Sequence, residues 1–316
     1  MNQQREYTQE ELADLQNKSS QFREALFGKS IDENKIAEIL SITTNEERQI
    51  IRGFYKKAYN HPIQNDINTQ LTGKLREITI DMFDTPYEYD ARELYKALNS
   101  FTNDDNTIVE IFASRPKNHL EIVDLAYKKF FKISLRDDVK KQGSKEYAQF
   151  LLAVMDIERP LDQTISGNEA YDTAKELIKN GLKLYGSDIN LFKKVFVEKS
   201  REDLILISRA YNELNNKSLY DAIEAEVAGK NRKLLKGLLF AVITPAQWFA
   251  KKCLKAIKGL GGDNNTLFRV LISRAEIDMY AIRDYYYMES NSDIKNDLED
   301  DANGALGQIL VNLTLK

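Results

Sequence analysis

Helix breakers are scarce in this chain. The 14 glycines and 5 prolines among 316 residues come to about 6%, against roughly 12% in average usage. A sandwich or barrel needs many more turn residues, so a mostly helical protein is expected. Cys253 is the only cysteine, which excludes an internal disulfide and fits a reducing compartment. His61 and His119 are the only histidines, too few, with one cysteine, for a His-rich or Cys-based zinc site. No apolar run approaches the ~18 residues needed to cross a bilayer. The opening MNQQREYTQEELADLQ has no apolar stretch of the kind a signal peptide carries, so a cytoplasmic location is expected. The net charge of −4 argues against a broad basic surface for nucleic acid and against simple attraction to an acidic membrane. Attachment to a phosphate-rich surface would need a cation in between. No nucleophile–base pair or histidine cluster stands out, so no enzyme is expected.

What is present is a repeating helical pattern. Hydrophobic residues at 42% suffice for a core, and 30% charged residues cover it with a solvated surface. Between Glu46 and Tyr59, Ile50, Ile51, Phe54, Tyr55 and Ala58 form a one-sided helical stripe. Leu71, Leu75, Ile78 and Met82 form another, and Leu267, Val270 and Leu271 read the same way. The stretch NTIVEIFASRPKNHLEIVDLAYKKF from Asn106 parallels NTLFRVLISRAEIDMYAIRDYYYME from Asn265, each carrying Ser-Arg at Ser114-Arg115 and Ser273-Arg274. Looser copies begin at Asn34 and Asn190. Four units in this length allow about five short helices each. The least regular stretch, DIERPLDQTISGN, reads as a linker. The expected division is a tail at 1–21, repeats at 22–84 and 85–156, a linker at 157–168, and repeats at 169–243 and 244–316.

Chemistry, if any, belongs to the loops. Before the fourth unit stands IKGLGGDNN, in which Gly259 and Gly261 flank Leu260 and Asp263 or Asn264 is placed to cap the next helix. Such a turn can cradle phosphate through its N–H groups. Its glycines also let carbonyls turn outward toward a hard cation, and many such turns do neither. A nucleotide loop of the GxxxxGK[ST] form is missing. The cation reading needs a carboxylate from elsewhere. Asp301 lies 42 residues beyond Gly259, and Glu226 lies 42 beyond Leu184 in the third unit's NGLKLYGSD loop. Each acid stands three residues before a glycine, Gly304 and Gly229. In the first unit Gln70 holds this place ahead of Gly73, and in the second Gln142 does.

From about Phe22 to Leu313 the chain resembles the annexin family. Its fourth unit, KGLGGDNNTLFRVLISRAEIDMYAIRDYY, is similar to an annexin core repeat almost residue for residue. The resemblance implies an all-α fold of four five-helix repeats forming a curved disk. It implies Ca2+ on the convex face, bridging to acidic phospholipid of the phosphatidylserine type. Carried over residue by residue, the fourth-unit ligands are the carbonyls of Ile257, Gly259 and Gly261 and the side chain of Asp301. Those of the third unit are the carbonyls of Gly181, Leu184 and Gly186 and the side chain of Glu226. Leu260 and Tyr185 at the loop tips would enter the lipid interface or else fold back on their own loops, and Lys258 and Lys183 beside them would contact headgroups. Asp90, Glu93, Glu110, Arg115 and Arg269 match positions that line a polar passage through the disk.

Three carbonyls and a bidentate carboxylate give five of the roughly 6–8 oxygens that calcium takes, leaving room for lipid phosphate. One formal charge per site implies weak binding without lipid, at roughly the 10⁻⁴–10⁻³ M end of the range. The first and second loops depart from the pattern. Gln70 and Gln142 are neutral, Ser30 replaces one glycine, and Ser100 and Thr102 replace two. Neither loop is expected to hold calcium strongly. Thr43 and Lys199 stand where the other repeats have Arg115 and Arg274, a divergence similar to that of protist members such as the alpha-giardins. The expectation is a calcium-dependent peripheral membrane protein. The alternative is a calcium-independent interaction scaffold of the same fold, with a cytoskeletal protein as partner.

Overall fold

The computed structural model describes residues 5–101, 104–182, 189–259 and 263–316, and the side chains of all of these but 189, 300 and 301. Among the described residues there are twenty helices and no strand. The first five are α1 (Gln9–Phe27), α2 (Glu33–Ile42), α3 (Asn45–Tyr59), α4 (Ile63–Gln70) and α5 (Gly73–Phe83). The next five are α6 (Pro86–Asn99), α7 (Asp105–Ser114), α8 (Lys117–Phe131), α9 (Leu135–Lys140) and α10 (Lys145–Asp156). After the linker come α11 (Gly167–Asn180), α12 (Ile189–Phe196), α13 (Arg201–Asn215), α14 (Leu219–Glu226) and α15 (Gly229–Ile243). The last are α16 (Pro245–Lys258), α17 (Asn264–Arg274), α18 (Met279–Ser290), α19 (Ile294–Asp301) and α20 (Gly304–Leu313). The predicted four-by-five organisation is the observed one.

Local chemistry sets the boundaries, and it repeats. The third helix of every repeat ends on a left-handed residue: Asn60 (φ 62°), Lys132 (φ 63°), Asn216 (φ 49°) and Asn291 (φ 55°). The fifth helix opens on a glycine with positive φ in three repeats, at Gly73, Gly229 and Gly304. An L side chain is strained there. This break separates Leu71 from the stripe it seemed to share with Leu75, Ile78 and Met82. Leu71 instead caps the C-terminus of α4. At the N-terminus α1 starts at Gln9 behind a Thr8–Glu11 capping box, so helix extends into the stretch read as tail.

The chain forms two compact units. One comprises Met1–Pro86 with Phe249–Lys316, the other Tyr87–Trp248. In the first, α2 packs on α20 and α1 packs on α2 and α3. Phe22 meets Phe83 edge to face at 5.1 Å in its core. In the second, α7 packs on α15 and α11 on α13, around buried Phe112, Phe150, Phe192 and Phe196. Gly237 of α15 lets α7 come close, since a Cβ there would fall 2.3 Å from Val109 Cγ1. The linker is fixed by Asp203 of α13, whose carboxylate accepts from the Thr164 and Ile165 N–H groups at 2.8 and 3.1 Å.

Arginines lie at, or bond to, the C-terminal ends of the second helices, from different places in sequence. In the second repeat Arg115 does this from the end of α7, and in the fourth Arg274 pairs with Asp278. Where Thr43 replaces the arginine, Arg48 of α3 donates to the carbonyls of Leu40 and Thr43. Where Lys199 replaces it, Arg159 of the linker donates to those of Phe196 and Lys199.

Candidate functional site: the helix-hairpin loops

Each repeat brings two loops to one end, that between its first and second helices and that between its fourth and fifth. In three repeats an aspartate closes the first of these. Its N–H donates to a carbonyl seven residues back: Asp32 to Ala25 at 2.9 Å, Asp104 to Ala97 at 3.0 Å, and Asp263 to Ala256 at 3.1 Å. Its carboxylate then caps the next helix, accepting from the N–H of Lys35, of Asn106 and Thr107, and of Thr266.

The third repeat brings loop and acid together. Gly181 sits at φ +67°, after which the Leu182 N–H donates to Glu226 Oε2 at 3.1 Å. A Cβ on Gly181 would lie 3.8 Å from the same oxygen. Two of the predicted ligands, Gly181 and Glu226, are therefore neighbours across 45 residues of sequence. Lys183, Leu184, Tyr185 and Gly186 lie outside the described residues. Beneath this loop Tyr211 is buried, and burial together with the Glu226 charge pushes its hydroxyl pKa up.

The fourth repeat shows part of its loop. Ile257 is in the last turn of α16, and Gly259 follows it, its N–H donating to Lys255 O at 2.9 Å. A Cβ at Gly259 would fall 2.3 Å from that carbonyl, so only glycine fits. Asp301 closes α19. Leu260, Gly261 and the Asp301 side chain lie outside the described residues. Lys258 is bound by Asp297 at 2.9 Å, and Asp297 also accepts from Tyr286 at 2.7 Å. Burial pushes the Asp297 pKa up, but the bonds from Lys258, Tyr286 and Ser292 outweigh it and the net shift is down. The same tyrosine–aspartate pair recurs as Tyr55–Asp66 and Tyr127–Asp138. The third repeat has Ala222 at the corresponding place.

The second repeat is different in kind. Gln142 is buried, and its amide nitrogen donates to Leu98 O at 3.1 Å and Asp138 O at 3.3 Å. Phe101 at the loop tip is fully exposed. Sequence reading missed this residue, although Phe101 precedes Asp104 by the same three positions as Leu260 precedes Asp263. In the first repeat Gln70 is the last residue of α4.

The five charges assigned to a polar passage divide between the two units. In the 87–248 unit Arg115 grips Asp90 with Nε at 2.8 Å and Nη2 at 3.1 Å, and His119 Nε2 lies 2.7 Å from the same carboxylate. Burial pushes the Asp90 pKa up, but the Arg115 charge and the bonds from His119 and Arg115 prevail and hold it down at about 2. Glu93 is ion-paired with Lys96 at 2.9 Å, and Glu110 is wholly buried in α7. Arg269, buried in α17 of the other unit, donates to Thr266 Oγ1 at 3.3 Å. Among the described residues no three His, Cys, Asp or Glu side chains gather as a metal cluster, and no helix is long and apolar enough to cross a membrane. A site of carbonyls with one carboxylate requires no such cluster.

Comparison with known proteins bears on these loops. The family model described as Annexin matches residues 18–82, 89–154, 172–238 and 248–313. Annexin A13 of Mus musculus is 30% identical over 286 residues, covering 90% of each chain. Among solved structures, annexin III aligns with a TM-score of 0.89 at 25% identity over 95% of this chain and 93% of that one. Calcium-bound annexin (Sm)1 aligns at 0.83 and 26% identity over 98% and 92%. The calcium-bound alpha-14 giardin structure, at 0.78 and 15% identity over 96% and 99%, shares the fold.

Proposed function

The chain belongs to the annexin family, and from that premise we propose that it binds acidic phospholipid membranes through calcium held at its third and fourth loops. The observation that carries this reading is the meeting of Glu226 with the Gly181–Leu182 backbone. An anionic oxygen there stands beside a glycine of positive φ, a conformation that lets carbonyls turn outward, and carbonyls with one carboxylate are a donor set a hard cation prefers. In the fourth repeat Ile257, Gly259 and Gly261 would supply carbonyls and Asp301 the carboxylate, with Gly186 and Leu184 completing the third set. Calcium bound there would leave coordination positions for lipid phosphate, and its charge would reverse the repulsion between an acidic protein and an acidic surface. Leu260 and Tyr185 would enter the interface, and Lys183 would reach headgroups. Lys258, tied to Asp297, would do so only by exchanging that partner. Asp90, Glu93, Glu110 and Arg115 serve structure in this reading within the 87–248 unit, and Arg269 does so in the other.

Co-sedimentation with phosphatidylserine vesicles tests the proposal. Wild type is expected in the pellet with calcium and in the supernatant with chelator. The E226A/D301A double variant is expected to stay in the supernatant at calcium levels that sediment wild type, with its fold intact. Equal sedimentation of the two would overturn the reading. It would favour a calcium-independent scaffold with a cytoskeletal partner, for which α18 offers an exposed face of Tyr280, Tyr287 and Met288.

A further inference from the structure

We propose that the second repeat's loop is a cation-free membrane anchor, in which the Gln142 amide stands where an ion would otherwise sit and Phe101 enters the lipid interface. The inference rests on the reading that these loops face the bilayer. Leu98 holds the place that Ile257 holds in the fourth repeat: each follows the alanine whose carbonyl accepts from the capping aspartate. The Ile257 carbonyl is one of the proposed calcium ligands. The Leu98 carbonyl instead accepts a hydrogen bond from Gln142 Nε2, which also donates to Asp138 O. An amide nitrogen has two hydrogens, and both point at carbonyls that need positive partners. The loop is closed further by Asp104 N to Ala97 O at 3.0 Å, Ser100 Oγ to Ala97 O at 3.3 Å, and Asn99 Nδ2 to Tyr95 O at 3.0 Å.

Charge on the adjoining segment points the same way. Residues 139–145 read VKKQGSK, with Lys140, Lys141 and Lys145 exposed, the first two of them paired with Asp137 and Asp138 at 3.1 and 2.8 Å. The corresponding stretch of the fourth repeat, 298–304, reads LEDDANG. An acidic rim needs a cation to approach acidic headgroups, whereas a basic rim attracts them directly. Phe101, in the loop that Gln142 joins, stands fully in water. A phenyl ring gains by leaving water, and a loop tip beside a basic rim puts a bilayer interface within its reach.

Three variants test the proposal on phosphatidylserine–phosphatidylcholine vesicles. F101A is expected to bind vesicles about tenfold more weakly at saturating calcium, from lost apolar transfer, while binding as many calcium ions per chain as wild type. F101W in a W248F background is expected to shift its emission to the blue on vesicles and to be quenched by lipids brominated near the headgroup. Q142E removes the donor to Leu98 and installs a carboxylate, so calorimetry is expected to find one additional calcium per chain. If wild type sediments with calcium while F101A binds equally well and F101W stays unquenched, the anchor is overturned and the calcium reading stands. Q142E with unchanged calcium stoichiometry would overturn the amide's role as the ion's substitute. Wild type that ignores calcium and vesicles alike would overturn both readings together.

Discussion

In the second repeat Gln142 reaches back 44 residues to Leu98, and in the third Glu226 reaches back 44 residues to Leu182. The spacing is the same and the polarity is opposite. Gln142 donates to a carbonyl, whereas Glu226 accepts from an N–H. The first arrangement satisfies the loop from within. The second turns an anionic oxygen toward a backbone N–H beside the positive-φ Gly181, in the loop proposed to hold calcium. One fold thus places an amide donor at this corner in one repeat and a carboxylate acceptor in another. The arginines at the far ends of the helices that follow these loops differ likewise. Arg115 is neutralised by Asp90 in a buried ion pair, while Arg159 is spent on the carbonyls of Phe196 and Lys199.

The largest effect should come from breaking the second repeat's arginine pair. Asp90→Asn leaves Arg115 charged and buried without its counter-ion, which costs about 3–5 kcal/mol. Urea unfolding monitored by far-UV circular dichroism would measure it, and a loss below 1 kcal/mol would mean that Arg115 finds another partner. The same pair predicts acid sensitivity. The Asp90 carboxyl is held at about 2, below its ordinary value of 3.8. Its contribution is therefore complete above pH 4 and is lost as pH falls from 4 toward 2, to the extent of about 2 kcal/mol. Wild type should lose stability across that window, and Asp90→Asn should lack that component. In the third repeat Arg159→Met leaves two carbonyls at the end of α12 without donors but strands no charge. The expected cost is smaller, about 1–3 kcal/mol, and Asp90→Asn must exceed it if the two arginines differ as described.

How much of this the sequence disclosed follows from the range of the interactions. The helices, the fourfold repeat and the capping Asp263 depend on local spacing, and all were legible. The stripe from Leu71 to Met82 misled because apolar spacing is blind to backbone conformation. The positive φ of Gly73 ends one helix and begins another within it. The pairing of Glu226 with its loop was readable as a constant offset. The arginines that bond the carbonyls near the ends of α2 and α12 were not: Arg48 and Arg159 come from other segments, and no spacing rule links them to those helices. Gln142 could be read as a missing carboxylate, but its gain of a donor to Leu98 exists only in three dimensions. Phe101 was legible in the alignment of Asp104 with Asp263 and was hidden by attention to the glycines its loop had lost.

Two smaller substitutions sharpen the contrast between the loops. Gln142→Ala should cost about 1 kcal/mol, the ordinary worth of a lost buried hydrogen bond with some desolvation, whether or not calcium is present. Glu226→Gln should cost least of all in chelator, within about 0.5 kcal/mol. The substituted amide oxygen can still accept from the Leu182 N–H, and Glu226 is partly exposed, so no charge is stranded. The difference should appear only when calcium is added. A cation that binds the folded chain and not the unfolded one raises the melting temperature in proportion to the logarithm of its concentration over the dissociation constant. With E226Q that gain should shrink to what the fourth loop supplies, while Q142A keeps the full gain on a lowered baseline. Melting curves of the three proteins in chelator and in millimolar calcium with soluble phosphatidylserine would show it. If E226Q in chelator falls as far as Q142A does, Glu226 is a structural partner of its loop like Gln142. The opposite polarities would then be two ways of closing the same turn, and not the difference between a closed loop and an ion site.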